Sequence, residues 1–418
     1  MLGENALKSA LSWDVFSKAD ALKKRIWFTL GALIVCRIGA YIPLAGVDPQ
    51  VMLALTRRNA GGFLGMLDMF SGGALGRMTI MSLSLMPYIS ASIIVQLMTA
   101  IFPHFESLKK EGESGRKKLN QYTRYLTVGL TTLQAYGVAV GLEFIKDPSG
   151  SLVLDPGFFF RFSTVITFVG ATLFLMWLAE QITARGLGNG TSMIIYAGIV
   201  ANLPQSALRT LELGRTGVVS VFVILLVALF IVAVIAFIVF MERANRRVLV
   251  QYPKRQVGQR VSQGDTNHLP IKVNGAGVIP AIFASSLLLF PTTIADFLSA
   301  SEGSWLGGIG RYLRHGNFLF IVLYASLIIF FAFFYTAIVF NPTETAENLR
   351  KSHGFVPGHR PGAATAAFFD YVLTRLTAVG ALYLAFVCIL PELLMSQVSL
   401  SFFLSGTSLL ILVSVTME

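Results

Sequence analysis

Long apolar runs alternate with polar loops along the whole chain, and the basic residues crowd into every second loop. The runs cover residues 26–44, 78–102, 126–144, 162–179, 188–203, 218–241, 275–297, 318–340, 376–394 and 400–415. A helix needs roughly 20 mostly apolar residues to cross a bilayer, so these runs predict ten spans. Most of the 33 Lys and Arg fall on one side of that zigzag, in loops such as 109–124, 242–272 and 341–375. Basic loops stay in the cytoplasm, which fixes orientation as well as class. With an even number of spans, both termini are expected there too. A chain 54% hydrophobic and 13% charged does not suit a soluble protein of 418 residues. The first run is of spanning length and lacks a small-residue cleavage site, so it is expected to remain as a span. The net charge of +11 is mostly a topology signal, although it also suits anionic partners. Cys36 and Cys388 both fall in apolar runs, which disfavours a disulfide or a metal role.

What the spans lack narrows the function. His104, His268, His315, His353 and His359 lie in loops, and Glu180, Asp296 and Glu392 stand at run ends. An ion-coupled transporter keeps ionisable groups at mid-membrane, so their absence argues against that coupling. Arg37 is the basic residue well inside a run, near its outer end, where its side chain can snorkel. Gly112-Glu113-Ser114-Gly115 superficially matches an intramembrane protease motif but lies in a charged loop, and no span offers a histidine base. Gly186-Leu187-Gly188-Asn189-Gly190 has the wrong spacing for a dinucleotide loop. No phosphate-binding loop and no His-Glu-x-x-His zinc motif occurs, so no cofactor is implied and energy for transport must come from elsewhere.

Residues 1–25 predict an amphipathic surface helix ending in Lys23-Lys24-Arg25. The Gly-rich stretch 61–75 is apolar enough to enter the membrane region and too short to cross it. Its residues alone leave two readings open, a re-entrant segment shielded from lipid or a loop on the membrane surface. The run after Arg185 is short and Gly-interrupted, and such spans point to inverted repeats around a central path. The expected organisation is a first half at 26–205, a hinge loop at 206–216 and a second half at 217–418. The loops 242–272 and 341–375 are long, but neither is expected to carry a core of its own.

Several blocks are specific. Phe70-Ser71-Gly72-Gly73-Ala74-Leu75, Met86-Pro87-Tyr88-Ile89-Ser90-Ala91-Ser92, Lys109-Lys110-Glu111-Gly112-Glu113-Ser114-Gly115-Arg116 and Gln121-Tyr122-Thr123-Arg124-Tyr125 stand in the first half. Val278-Ile279-Pro280-Ala281-Ile282-Phe283, Phe340-Asn341-Pro342, Phe355-Val356-Pro357-Gly358-His359-Arg360-Pro361-Gly362 and Gly406-Thr407-Ser408-Leu409-Leu410-Ile411 stand in the second. Together, and in this order, they resemble the SecY/Sec61-alpha family of protein-conducting channels. The resemblance implies an all-α integral membrane protein of ten helices in two inverted halves of five, with a re-entrant plug and no catalytic activity. It implies an apolar pore ring at Leu85, Ile89, Thr191, Ile195, Ile282 and Ile411. A constriction of this kind resists wetting and binds no substrate strongly, which suits a channel that must accept many sequences. Thr191 departs from the apolar residue expected there.

The plug falls on about 61–77, with Phe63, Leu64, Met66, Leu67, Met69, Phe70, Ser71, Gly72 and Gly73 as its body. A lateral gate toward lipid falls on Ser90, Gln96, Thr123, Asn274 and Phe290, where hydrogen bonds among the polar members would hold it shut. Docking of the ribosome or the ATPase SecA falls on Arg247, Lys254, Arg255, Arg260 and Arg360. The planar fork of arginine bonds phosphates and carboxylates in pairs. Topology alone accounts for Arg246 and Arg255, whereas Arg360, between Pro357 and Pro361, is placed for docking. The other implied partners are SecE, SecG, unfolded precursors, signal sequences and the phospholipid bilayer, and the implied location is the bacterial inner membrane. Met417-Glu418 ends the sequence where the family continues into a basic tail. The rival readings are a secondary transporter of a small solute and, more distantly, an intramembrane protease.

Overall fold

The computed structural model describes residues 20–49, 51–52, 71–144, 146–147, 150–216, 220–252, 255–257, 260–262, 266–298, 317–397 and 406–417. They are mostly helical. The chain divides into two compact units between Leu208 and Arg209. In the first unit, α1 (Asp20–Gly39) precedes a stretch of turns that leads into α2 (Met86–Ile101). α3 (Pro103–Lys110) leaves α2 at 98°. Phe102 turns to extended backbone before Pro103, whose ring disfavours a helical residue in front of it. α4 (Glu113–Phe144) and α5 (Phe158–Arg185) pack on each other, α2 lies on α4, and α1 lies on α5. Between α4 and α5 the strands β1 (Lys146–Asp147) and β2 (Gly150–Ser151) make a small hairpin.

One apolar cluster unites Leu44, Val47, Met78, Ala139, Leu152 and Phe168 from the loop after α1, the turns before α2, the helices α4 and α5 and the connection between them. Its burial holds an irregular stretch in place. Backbone bonds run from the Leu44 amide to the Met78 carbonyl and from the Ile80 amide to the Ile42 carbonyl. Residues 78–85 were expected to be helical and are turns instead, because these bonds to the loop after α1 take up their backbone groups.

α6 (Gly190–Arg215) starts against α5 at a glycine where a β-carbon would collide with the Ala179 carbonyl. Asn189 caps it, its Oδ1 accepting the Thr191 amide at 3.0 Å. The loop expected at 206–216 is helical as far as Arg215. The expected run stops at 203, before Pro204, yet the helix continues through that proline, and the residues after it are mostly good helix formers.

The second unit contains α7 (Val221–Arg243), β3 (Asn245–Gln251), β4 (Arg255–Val257), β5 (Arg260–Ser262) and β6 (Thr266–Lys272). After them come α8 (Ile279–Leu298), α9 (Phe318–Val339), α10 (Pro342–Lys351), α11 (Ala363–Gln397) and α12 (Gly406–Met417). α9 packs on α8 and α11, and α12 lies on α11 and α7. Among the described residues, five helices are long and apolar enough to cross a membrane, or six with the bent pair α2–α3 counted as one span.

Candidate functional site

Most of the positions expected around a pore sit near helix starts, and Ile411 lies mid-helix. Leu85 is the residue before α2 and is fully buried, and its carbonyl accepts the Ile89 amide at 3.0 Å. Leu85 and Ile89 therefore lie one turn apart, and Ile89 is buried as well. Thr191 and Ile195 occupy the first turns of α6, Ile195 buried and Thr191 half-buried. The Thr191 side chain hydrogen-bonds Tyr88 of α2, so the polar departure at this position has a partner within the same unit. In the second unit Ile411 is buried on α12, and Ile282 is half-buried in the first turn of α8.

Of the plug positions, Phe63, Leu64, Met66, Leu67, Met69 and Phe70 lie outside the described residues. Ser71, Gly72 and Gly73 are described, the two glycines buried and Ser71 accepting the Leu75 amide on its Oγ at 3.1 Å. Arg37 and Arg77 bond the carbonyls of Gly72 and Gly73, each at 3.0 Å. The snorkelling expected of Arg37 did not foresee this partner, and a lone arginine in an apolar run was the only signal for it.

The described contacts of the gate positions are local. Gln96 donates to Ser92 Oγ at 3.3 Å on its own helix. The Thr123 hydroxyl donates to the Leu119 carbonyl at 3.0 Å and heads a ladder that continues through Thr127 and Thr131 down the buried face of α4. Asn274 donates to Glu242 Oε1 at 2.7 Å and to the Gly277 carbonyl at 3.1 Å, joining the end of α7 to the turn before α8. Ser90 is half-buried on α2. Phe290 lies in α8, and only its backbone is described.

The two long basic loops build one structure. β3 and β6 pair antiparallel over their whole length, Asn245 opposite Lys272 and Gln251 opposite Thr266. Gln251 also bridges Phe355 through two backbone bonds of 2.9 and 3.0 Å, so the second loop adds to the edge of the first. Val248, Val250 and Ile271 from the ladder then pack with Ala346, Val356, Ala366, Phe369 and Val372. Neither loop was expected to carry a core of its own, and the two contribute to one shared core. Asn341 caps α10 with its side chain and Pro342 fills the first helical turn, which explains the Asn-Pro of that motif. His359 stacks on Phe368 at 4.3 Å between centroids. Arg247 and Arg360 are exposed beside this core. Arg255 stands opposite Ser262 and Arg260 opposite Val257 in the β4–β5 hairpin, and Lys254 lies outside the described residues.

Charges at the edge of the first unit pair with one another. Arg124 grips Glu180 in a fork, at 2.8 and 2.6 Å from one guanidinium nitrogen, joining α4 to α5. The Lys110 ammonium, one turn on from Glu106, holds that carboxyl below the usual carboxylate range. Among the described residues, no group of three or more His, Cys, Asp and Glu side chains could hold a metal ion.

Long apolar helices and alternating basic loops define a helical membrane protein. A family model described as SecY matches residues 79–418. The protein translocase subunit SecY of Rickettsia bellii (strain RML369-C) is 52% identical over 405 residues, covering 96% of this chain and 93% of that one. A structure described as showing that the plug domain of SecY stabilises the closed state of the translocation channel superimposes with a TM-score of 0.67. That structure is 18% identical and covers 95% of this chain and 90% of the other. Sec61 in a canine ribosome–channel complex from the endoplasmic reticulum gives 0.66 at 17% identity, with the same coverage. The chain belongs to the SecY family.

Proposed function

We propose that this SecY-family chain is the pore-forming subunit of a protein-conducting channel, passing unfolded precursors across the inner membrane and releasing apolar helices sideways into lipid. One observation carries the reading: 52% identity to a protein translocase subunit over nearly the full length of both chains. Ten spans, both termini in the cytoplasm, and a plug at about 61–77 complete the topology. Leu85, Ile89, Thr191, Ile195, Ile282 and Ile411 form the apolar constriction. Thr191 apart, its side chains offer no polar group to replace the water of a hydrated ion, so ions are excluded, yet the ring parts before an extended chain. Ser90, Gln96, Thr123, Asn274 and Phe290 line the way out to lipid. SecE and SecG complete the membrane complex. SecA or the ribosome docks on Arg247, Lys254, Arg260 and Arg360, and SecA supplies the ATP hydrolysis that this chain does not.

The test is reconstitution of the chain with SecE and SecG in liposomes, with SecA, ATP and a radiolabelled precursor. Precursor protected from added protease, dependent on ATP, is the expected result. A folded complex that protects none would overturn the reading.

A further inference from the structure

We propose that Arg37 and Arg77 are positioning residues that keep the channel sealed, by holding the end of its plug through two successive backbone carbonyls. The inference rests on the reading of 61–77 as the plug. Arg37 reaches from α1 to a residue 35 positions away, its Nη1 donating to the Gly72 carbonyl at 3.0 Å. Arg77 Nε donates to the next carbonyl, that of Gly73, also at 3.0 Å. Both guanidinium groups meet on Tyr41, with Arg77 Cζ 4.2 Å and Arg37 Cζ 5.9 Å from its ring centroid, and both hydrogen-bond its hydroxyl. A guanidinium has five donors in a fixed fork, so it can serve a carbonyl and a hydroxyl at once where an ammonium, a point charge, fits poorly.

The backbone at this point is shaped for that grip. Gly72 and Gly73 have φ of +69° and +83°, in the left-handed region that disfavours side chains. A β-carbon on Gly72 would collide with Arg37 Nη1 and stand 3.0 Å from Gly198 Cα. One on Gly73 would stand 2.6 Å from Arg77 Nη2 and 3.2 Å from Asn202 Oδ1. The glycines therefore lie between the arginines and α6, whose Ile195 is a ring position one residue short of a turn before Gly198. Every residue in the arrangement belongs to the first unit, so the arginines fix the plug to the half that carries it.

The complex with SecE and SecG is prepared with Arg37→Gln, Arg77→Gln, both together, and Arg37→Lys. Ion leak through the resting channel, thermal unfolding and ATP-driven translocation are measured for each. Arg37→Gln is expected to raise resting leak about tenfold, the order expected for losing one charge-assisted hydrogen bond. The double variant should leak more, Arg37→Lys should regain part of the seal, and translocation should persist in all four. Unchanged leak in a folded double variant would overturn the proposal, as would leak that rises only in step with loss of thermal stability. If the unsubstituted complex fails to translocate, the channel reading itself fails and the proposal with it.

Discussion

The turns that lead into α2 and the joined basic loops of the second unit both depend on arginine, and they use it in opposite ways. Beside Gly72 and Gly73 the guanidinium groups turn inward and bond backbone carbonyls. Around the β3–β6 ladder Arg247 and Arg360 are exposed, and an apolar core made by other residues holds the shape. In the first region the charge is part of the structure. In the second it is left available, since a cation already satisfied inside the chain has little left for a phosphate. A channel that seals and docks as proposed gains from keeping these uses apart.

The largest effect expected from breaking this contrast falls on the core under the basic loops. Phe369 is fully buried there, so Phe369→Ala should destabilise the second unit by about 3–5 kcal/mol. Thermal unfolding of the complex would register the loss, and ribosome binding should fall with it because the arginines lose their platform. Retained stability would mean that the loops are held by something other than the shared core. A smaller but still severe effect is expected at Gly190. Gly190→Val puts side-chain atoms into the Ala179 carbonyl and should force α5 and α6 apart. An overpacked contact costs about 1–3 kcal/mol. The resulting displacement of Thr191 and Ile195 should show as raised resting leak.

At the exposed arginines the sign of the comparison reverses. Arg247→Ala and Arg360→Ala should leave thermal unfolding nearly unchanged, because surface substitutions of this kind usually fall within about 0.5 kcal/mol. Affinity for the ribosome should nevertheless drop. Each lost phosphate contact should reduce the slope of log affinity against log salt by about one. A fall in stability with no change in that slope would show that these arginines serve the fold and not a partner.

How far the sequence disclosed this division depends on what each element is made from. Apolar runs and alternate basic loops were enough to predict a mainly helical membrane chain, since hydropathy and charge are local properties, but the all-helical expectation missed the strands of the basic loop. The ring and gate positions came with the family resemblance, for nothing about an isolated Ile89 or Ile282 separates a pore wall from a core. Long-range partners left little trace. The bonds from Ile42 and Leu44 to Ile80 and Met78 turn the first eight residues of an apolar run away from helix, and Met78 and Ser84 take the left-handed conformation that side chains disfavour. The shared core of the two loops was hidden for the same reason, because Val250 and Val356 lie more than a hundred positions apart. Arg37 could be seen as unusual, but its partner is a glycine carbonyl, which carries no side-chain signature.

The smallest effect expected is at the pair between α4 and α5, and it sharpens the comparison most. Arg124 and Glu180 have close geometry, two bonds shorter than 3 Å from one nitrogen, yet their side chains are 48% and 38% exposed. Water competes for both charges, so Arg124→Gln should cost no more than about 1 kcal/mol, less at high salt. Arg37, by contrast, is half-buried and bonds uncharged carbonyl groups, so added salt should leave its contribution largely intact. Thermal unfolding of the complex at low and high salt, with Arg37→Gln and Arg124→Gln in parallel, separates the two cases. If salt weakened both contributions equally, the inward arginine would be behaving as a surface charge, and the distinction between the two regions would not survive.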